Sequence, residues 1–246
     1  MFKRKIIYYP LIVLVFLAFY LYVANGFIYY RIGQGNLIMP PRENSYTMGE
    51  GKEIKYIALG DSLTSGVGAD KYEESYPYLL EQKMAESGLT VTSRNFSEPG
   101  YKTYDLINIF IDSAIASKPD VVTVLIGVND IHNHVSQEEF KKNYEYLLGR
   151  LTKETKAKIN LINIPLIGSD TVLYPPYDYY FNRETNNFND IIKELAQTYH
   201  ANYIDLNTPT KNLLKTDGLH YSVDSFHPSA LGYKLWAQII YDRLNY

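Results

Sequence analysis

The chain of 246 residues is long enough for one sizeable domain and short for two. Its 24 basic and 27 acidic side chains leave a net charge of −3, which gives no footprint for nucleic acid, and none is expected as a partner. The absence of cysteine excludes disulfides, thiolate-bound zinc and a thiol nucleophile.

"MFKRK" places three positive charges ahead of residues 6–24, "IIYYPLIVLVFLAFYLYVA", which carry no charge. Nineteen such residues at about 1.5 Å rise approach the roughly 30 Å of a bilayer's hydrocarbon core. The expectation is a membrane anchor over 6–24 with a cytoplasmic tail over 1–5, because Lys3, Arg4 and Lys5 stay inside. Tyr8, Tyr9, Tyr20 and Tyr22 fall near its two ends, where interfacial aromatics sit. The competing reading is a secretory signal cut after Ala24, although no A-x-A site follows the run. A buried core helix fits poorly, since the segment has no polar face.

Residues 25–52 mix Gly, Pro, Asn and Glu without a period and read as a linker. The folded domain is expected over 53–246. "IKYIALG" (54–60) reads as a strand, 75–88 as a helix closing on Gly88, and 91–97 as a second strand. A helix over 104–118 stops at Pro119. "DVVTVLIGVND" (120–130) is a β-branched run typical of a strand buried on both faces. Ser136 and Glu139 form a capping box, followed by Phe140, Tyr144, Leu147, Leu148 and Leu151 at helical spacing. A fourth strand is expected over 158–168 and a fifth over 202–207, with a helix through Phe188, Ile191, Ile192, Leu195 and Ala196 between them. A last helix from about Pro228 carries Leu231, Leu235, Trp236, Ile239 and Ile240 on its apolar side.

Strand and helix alternate five times without an internal repeat. That predicts an α/β fold, a doubly wound five-stranded parallel sheet with helices on both faces. Ligands of such sheets bind outside the carboxyl ends of the strands, where Ser62, the Asn129 region and the loop after Ile164 all fall.

Acyl transfer at that edge needs a nucleophile, a base, a group orienting the base and donors for an oxyanion. Ser62 in "GDSLTSGVG" ends the first strand, but Gly, Asp and Ser are also ordinary turn residues. Ser65, further into the loop, reads as structural. Two D-x-x-H pairs compete to supply the base, Asp217 with His220 and Asp224 with His227. The second is better placed, because Pro228 opens a helix directly after His227 and fixes the loop. Asn129 in "GVND" offers a side-chain donor, and Gly100 in "SEPGYKTYDL" a backbone one. Asp130 reads as a local acceptor. His132 and His134 in "HNH" lack the further ligands a metal would need, so no metal and no cofactor are expected. "YPPYDYYF" (174–181) reads as a loop that either walls a cleft or packs on itself.

Taken in order, "GDSLTSGVG", Gly100, "GVND" and "DSFHP" resemble the SGNH hydrolases, also called GDSL esterases and lipases. The resemblance spans residues 57–233 and is nearest to the membrane-anchored bacterial acylhydrolases of that family. It implies a flavodoxin-like fold in which Ser62 is the nucleophile, His227 the base and Asp224 the acid. Ser62 N–H, Gly100 N–H and the Asn129 side chain would then be the oxyanion donors. The implied substrate is a lipid, cell-wall or acylated-glycan ester, outside the membrane. Two rivals keep the fold and drop that chemistry: a catalytically inactive surface-binding module, and a phosphate-binding flavodoxin-like domain. The second lacks a P-loop lysine and leaves His227 idle.

Overall fold

The computed structural model describes residues 2–34, 39–42, 45–166, 175–213 and 218–246. The N-terminal run forms one helix, α1 (Phe2–Gln34), whose stretch Tyr9–Ile28 is apolar enough to cross a bilayer. Large apolar residues from Leu11 to Phe19 are exposed along it, so none of the described residues covers that part of the helix.

Next come β1 (Tyr46–Met48), β2 (Lys52–Gly60) and the short helix α2 (Ser62–Ser65). They are followed by α3 (Tyr76–Glu86), β3 (Leu89–Ser97), α4 (Thr103–Ala116) and β4 (Val121–Leu125). Then come α5 (Val128–His132), α6 (Gln137–Glu154), β5 (Lys158–Ile162) and α7 (Tyr177–Thr198). The chain closes with β6 (Asn202–Ile204), α8 (Asn207–Leu213) and α9 (Ala230–Tyr241). The sheet order is β1-β3-β2-β4-β5-β6. Five strands are parallel, as expected, and β1 adds a sixth, antiparallel to β3. That edge strand lies inside the stretch read as a linker. Three residues are too short for a pattern, and their pairing depends on the free edge of β3.

The core follows from the sequence patterns. Every residue of β4 is buried, because helices cover both faces of the sheet. α3 and α9 pack together on one face; α4, α6 and α7 pack in series on the other. On α6 the five apolar residues at helical spacing are all buried, each contributing about 1.5–3 kcal/mol. Ser136 caps that helix by accepting a hydrogen bond from Glu139 N–H at 3.1 Å. Of the residues expected on the apolar side of α9, Trp236, Ile239 and Ile240 are buried, Leu235 is half-buried and Leu231 is exposed, while Tyr233 and Ala237 complete the buried face.

Register brings the loops together. Gly60 pairs with Ser97 on one side and with Leu125 on the other, so β2, β3 and β4 end level. Ser62, Gly100 and Asn129 therefore leave the sheet at one edge. The run 120–130 is not one strand, however. Gly127 adopts φ 130, and α5 begins at Val128, so Asn129 lies on a short helix.

Candidate active site

The turn after β2 is shaped by backbone constraints. A Cβ on Gly60 would lie 2.4 Å from Leu125 O, so the strand end tolerates no side chain there. Asp61 caps α2, its Oδ1 accepting from Leu63 N–H at 3.0 Å, while Asp61 O accepts from the N–H groups of Thr64 and Ser65. Ser62 thus sits in the first position of a helix held rigidly at the end of a central strand. Ser65 faces elsewhere: its hydroxyl donates to Asp61 O at 3.0 Å and pairs with Ser97 Oγ at 2.9 Å. Gly66 closes α2 in a left-handed conformation, and its N–H donates to Ser62 O. Gly68 has a different reason to be small. A Cβ there would lie 2.4 Å from Pro228 O and 2.9 Å from His227 Cβ, so the loop carrying His227 rests directly on it.

That loop is organised by one carboxylate. Asp224 Oδ1 accepts hydrogen bonds from Ser222 Oγ at 2.6 Å, Phe226 N–H at 2.8 Å and His227 N–H at 2.9 Å. Asp224 Oδ2 lies 2.6 Å from His227 Nδ1. On the far side of the ring, His227 Nε2 is 2.9 Å from Ser62 Oγ. All three side chains are buried. Burial pushes the Asp224 carboxyl up, but the His227 ring and the Ser222 and Phe226 donors outweigh it and hold the group below its ordinary value. Asp224 is therefore a buried anion, aimed at the imidazole edge opposite the serine.

The second D-x-x-H stretch is placed differently. His220 lies in a groove between α3 and α9 with Leu79, Leu231 and Leu235, and its carbonyl accepts from Ser229 N–H at 3.0 Å. Its partner in sequence, Asp217, lies outside the described residues. Of the two histidines, only His227 is in reach of Ser62.

Gly100 and Asn129 are brought to the same edge by a pair of clamps. Gly100 takes φ 83, and a Cβ on it would meet nothing within 4 Å, so the backbone there is open to an incoming group. Asn129 Nδ2 donates to Tyr101 O at 3.0 Å. Asp130 Oδ2 accepts from Thr103 N–H at 3.0 Å and Thr103 Oγ1 at 3.2 Å. Asp130 is thus an acceptor, though for a residue distant in sequence rather than a local one. Burial raises its carboxyl to about 6. Its role had no sequence signal beyond the acid after Asn129, since Thr103 is fixed only by the arrival of α4.

The histidines at 132 and 134 serve aromatic packing. His132 lies between Phe181 at 4.5 Å and Phe226 at 5.4 Å, ring centroid to centroid, and burial lowers its pKa to about 4. Phe226 in turn lies 4.9 Å from the His227 ring. His134 Nδ1 pairs with Tyr180 Oη at 2.8 Å. Of the stretch 174–181, residue 174 lies outside the described residues, 175–176 form a turn, and 177–181 open α7 rather than a loop. From there Phe181 packs on His132.

The assembled groups are a hydroxyl, an imidazole facing it, a buried carboxylate behind the imidazole, and an open glycine turn clamped beside a side-chain amide. A family model described as the GDSL-like lipase/acylhydrolase family matches residues 58–235. The spore germination lipase LipC of Bacillus licheniformis is 27% identical over 210 residues, covering 75% of this chain and 93% of that protein. An acetylxylan esterase of Geobacillus stearothermophilus is 25% identical over 217 residues, covering 78% of this chain and 93% of that protein. The fold is shared with the crystal structure of the lipase/acylhydrolase from Enterococcus faecalis, at TM-score 0.62 and 22% identity over 78% of this chain and 97% of that one.

Proposed function

The chain belongs to the GDSL-like lipase/acylhydrolase family and is a carboxylic ester hydrolase; from that premise we propose that it acts through an acyl-enzyme on Ser62. The observation that carries this reading is the continuous contact Ser62 Oγ–His227 Nε2–Asp224, at 2.9 Å and 2.6 Å, inside a buried site. His227 takes the Ser62 proton as the hydroxyl attacks the ester carbonyl carbon, while Asp224 fixes the ring tautomer and balances the imidazolium. The negative charge that develops on the carbonyl oxygen is met by Ser62 N–H, Gly100 N–H and Asn129 Nδ2. Asn129 exchanges its bond to Tyr101 O for that oxygen. His227 then returns the proton to the leaving alkoxide. In the second half, water gives its proton to His227 and attacks the acyl carbon, and Ser62 leaves with a proton from His227.

The substrate reading is an ester of a lipid, a cell-wall component or an acylated glycan. The names of the two relatives, a lipase and an acetylxylan esterase, span that range. The domain reading keeps residues 1–5 in the cytoplasm, 6–24 in the membrane and 53–246 outside as the hydrolase unit, with 25–52 between. The exposed apolar length of α1 is compatible with an anchor or a signal, and the retained-anchor reading rests on the length of the run and the lack of an A-x-A site after it. Truncation at residue 53 would remove β1, so assays belong on the full chain.

A fluorophosphonate probe should label the detergent-solubilised protein and fail on Ser62→Ala. Lack of labelling in folded wild type would leave the inactive binding module as the better reading. Comparing His220→Ala with His227→Ala tests the base: turnover should collapse only in the second. Intact-mass measurement on protein from the membrane fraction tests the anchor, since a cut after Ala24 would remove the first 24 residues.

A further inference from the structure

The outer part of α1 is not free of the domain. Tyr20 Oη donates to Pro175 O at 2.6 Å, and Tyr177 Oη donates to Leu21 O at 3.3 Å. Ala24 and Ile28, further along the same helix, are buried, whereas Leu11, Val13, Phe16 and Phe19 are at least half exposed. The helix therefore divides: a naked apolar length, then a length against which residues 175–177 pack. Tyr20 and Leu21 lie three to four residues before the end of the apolar run at Ala24. At a rise of about 1.5 Å per residue, that puts them roughly 5 Å inside its outer limit. Because the run matches the hydrocarbon core in length, that depth is its outermost part, so residues 175–177, bonded there, lie where hydrocarbon meets headgroup.

A row of ring contacts links the start of α7 to His227. Tyr180 contacts Phe181, Phe181 contacts His132, His132 contacts Phe226 and Phe226 contacts His227, each pair of ring centroids between 4.5 and 5.4 Å apart. On the turn that faces away from this wall, Tyr179 is 71% exposed, an aromatic with a polar tip and no cover. Aromatics of that kind sit in the interfacial belt of membrane proteins.

We propose that the start of α7, residues 175–181, rests at the outer boundary between hydrocarbon and headgroups of the membrane that α1 crosses, so that Ser62 draws acyl esters from that bilayer. The proposal rests on the anchored-hydrolase reading above and adds to it an orientation: the carboxyl edge of the sheet faces the lipid.

The absence of cysteine makes the orientation measurable in the full chain. Tyr179→Cys and, as a control, Lys156→Cys just ahead of β5 at the opposite edge, are each labelled with an environment-sensitive fluorophore. Both are reconstituted into phosphatidylcholine–phosphatidylglycerol vesicles with and without nitroxide lipid. At position 179 we expect a blue-shifted emission and at least twofold stronger quenching than at 156. Equal quenching at the two positions, in protein that floats with the vesicles and labels with fluorophosphonate, overturns the orientation while leaving the hydrolase intact. Protein that fails to float overturns the anchor and the orientation with it. Protein that floats but resists fluorophosphonate overturns the hydrolase reading and the claim that Ser62 takes esters. A second readout follows turnover of a long-chain fluorogenic ester placed either in the protein's own vesicles or in separate protein-free ones. Hydrolysis at least tenfold faster in the shared vesicles is expected; equal rates overturn supply from the bilayer.

Discussion

Asp61 and Asp224 are both buried carboxylates near Ser62 and His227, and their surroundings push them toward opposite states. Asp61 adjoins Ser62, the proposed nucleophile, in the turn after β2. One of its oxygens accepts a single N–H, and Oδ2 has no hydrogen-bond partner among the described residues. Burial, only partly offset by the Leu63 N–H and reinforced by nearby Asp130, raises it to about 8, which favours the neutral form at pH 7. Asp224, in the loop before α9, is as deeply buried, but three donors converge on one oxygen and the His227 ring meets the other. It stays an anion. Burial alone discharges a carboxylate; burial with donors keeps it charged and usable. The acid nearest Ser62 in sequence is therefore a cap, and the acid proposed to work with His227 is Asp224, 162 positions after Ser62, which brings its own donors.

The sharpest test of that contrast is loss of activity. Ser62→Ala and His227→Ala should each lower kcat by about 10⁴–10⁶, and Asp224→Asn by about 10⁴, since each breaks one indispensable contact. Asp61→Asn keeps the acceptor for Leu63 N–H and should stay within tenfold of wild type in the same ester assay. An Asp61→Asn enzyme as dead as Asp224→Asn would erase the distinction drawn here. Asn129→Ala should cost about 10²–10³ in kcat with KM little changed, because its donor strengthens only as the oxyanion forms.

Smaller effects probe how the two regions meet. Gly68→Ala forces a side chain into φ 97 and against Pro228 O, so a loss of about 2 kcal/mol or more is expected. In thermal unfolding that is a fall of about 4–8 °C in Tm, accompanied by weaker fluorophosphonate labelling as His227 is displaced. Ser65→Ala removes two hydrogen bonds without touching His227 and should cost about 1 kcal/mol with turnover nearly unchanged.

The two carboxylates also separate by pH. Asp61 is raised in the fold, so its contribution is fully present below the unfolded value near 4 and is lost as pH rises toward about 8. Asp130 and Glu81, raised by burial to about 6 and about 7, act in the same sense. Tm should therefore decline from pH 5 to pH 8, and Asp61→Asn should flatten part of that decline. Asp224 is depressed, so its contribution is complete above the ordinary carboxylate range and fades only below it, under about pH 4. An Asp61→Asn profile parallel to wild type between pH 5 and 8 would show that Asp61 is ionised after all.

Several elements were legible from periodicity. The all-buried β4, the amphipathic α6 with its Ser136 cap and the five parallel strands follow from patterns within single segments. Other features were not. The run 120–130 looked like one strand because an apolar stretch reads alike in a buried strand and in the short buried helix that follows Gly127. β1 has no pattern of its own, and the Tyr- and Pro-rich stretch at 174–181 hid the first turn of α7, where Pro176 sits at the N-cap.

By itself the sequence determined the α/β class, the apolar helix ahead of it, and four short blocks whose order points to acyl transfer. Those depend on local spacing, which any one segment carries alone. Only the tertiary structure decided which histidine reaches Ser62, because that turns on Pro228 and His227 packing against Gly68, some 160 residues away. It also decided the charge of each aspartate, since a carboxylate's state is fixed by the donors around it in space. The same holds for the contact between α1 and the start of α7, where two tyrosine hydroxyls find carbonyls that no spacing in the chain could have paired.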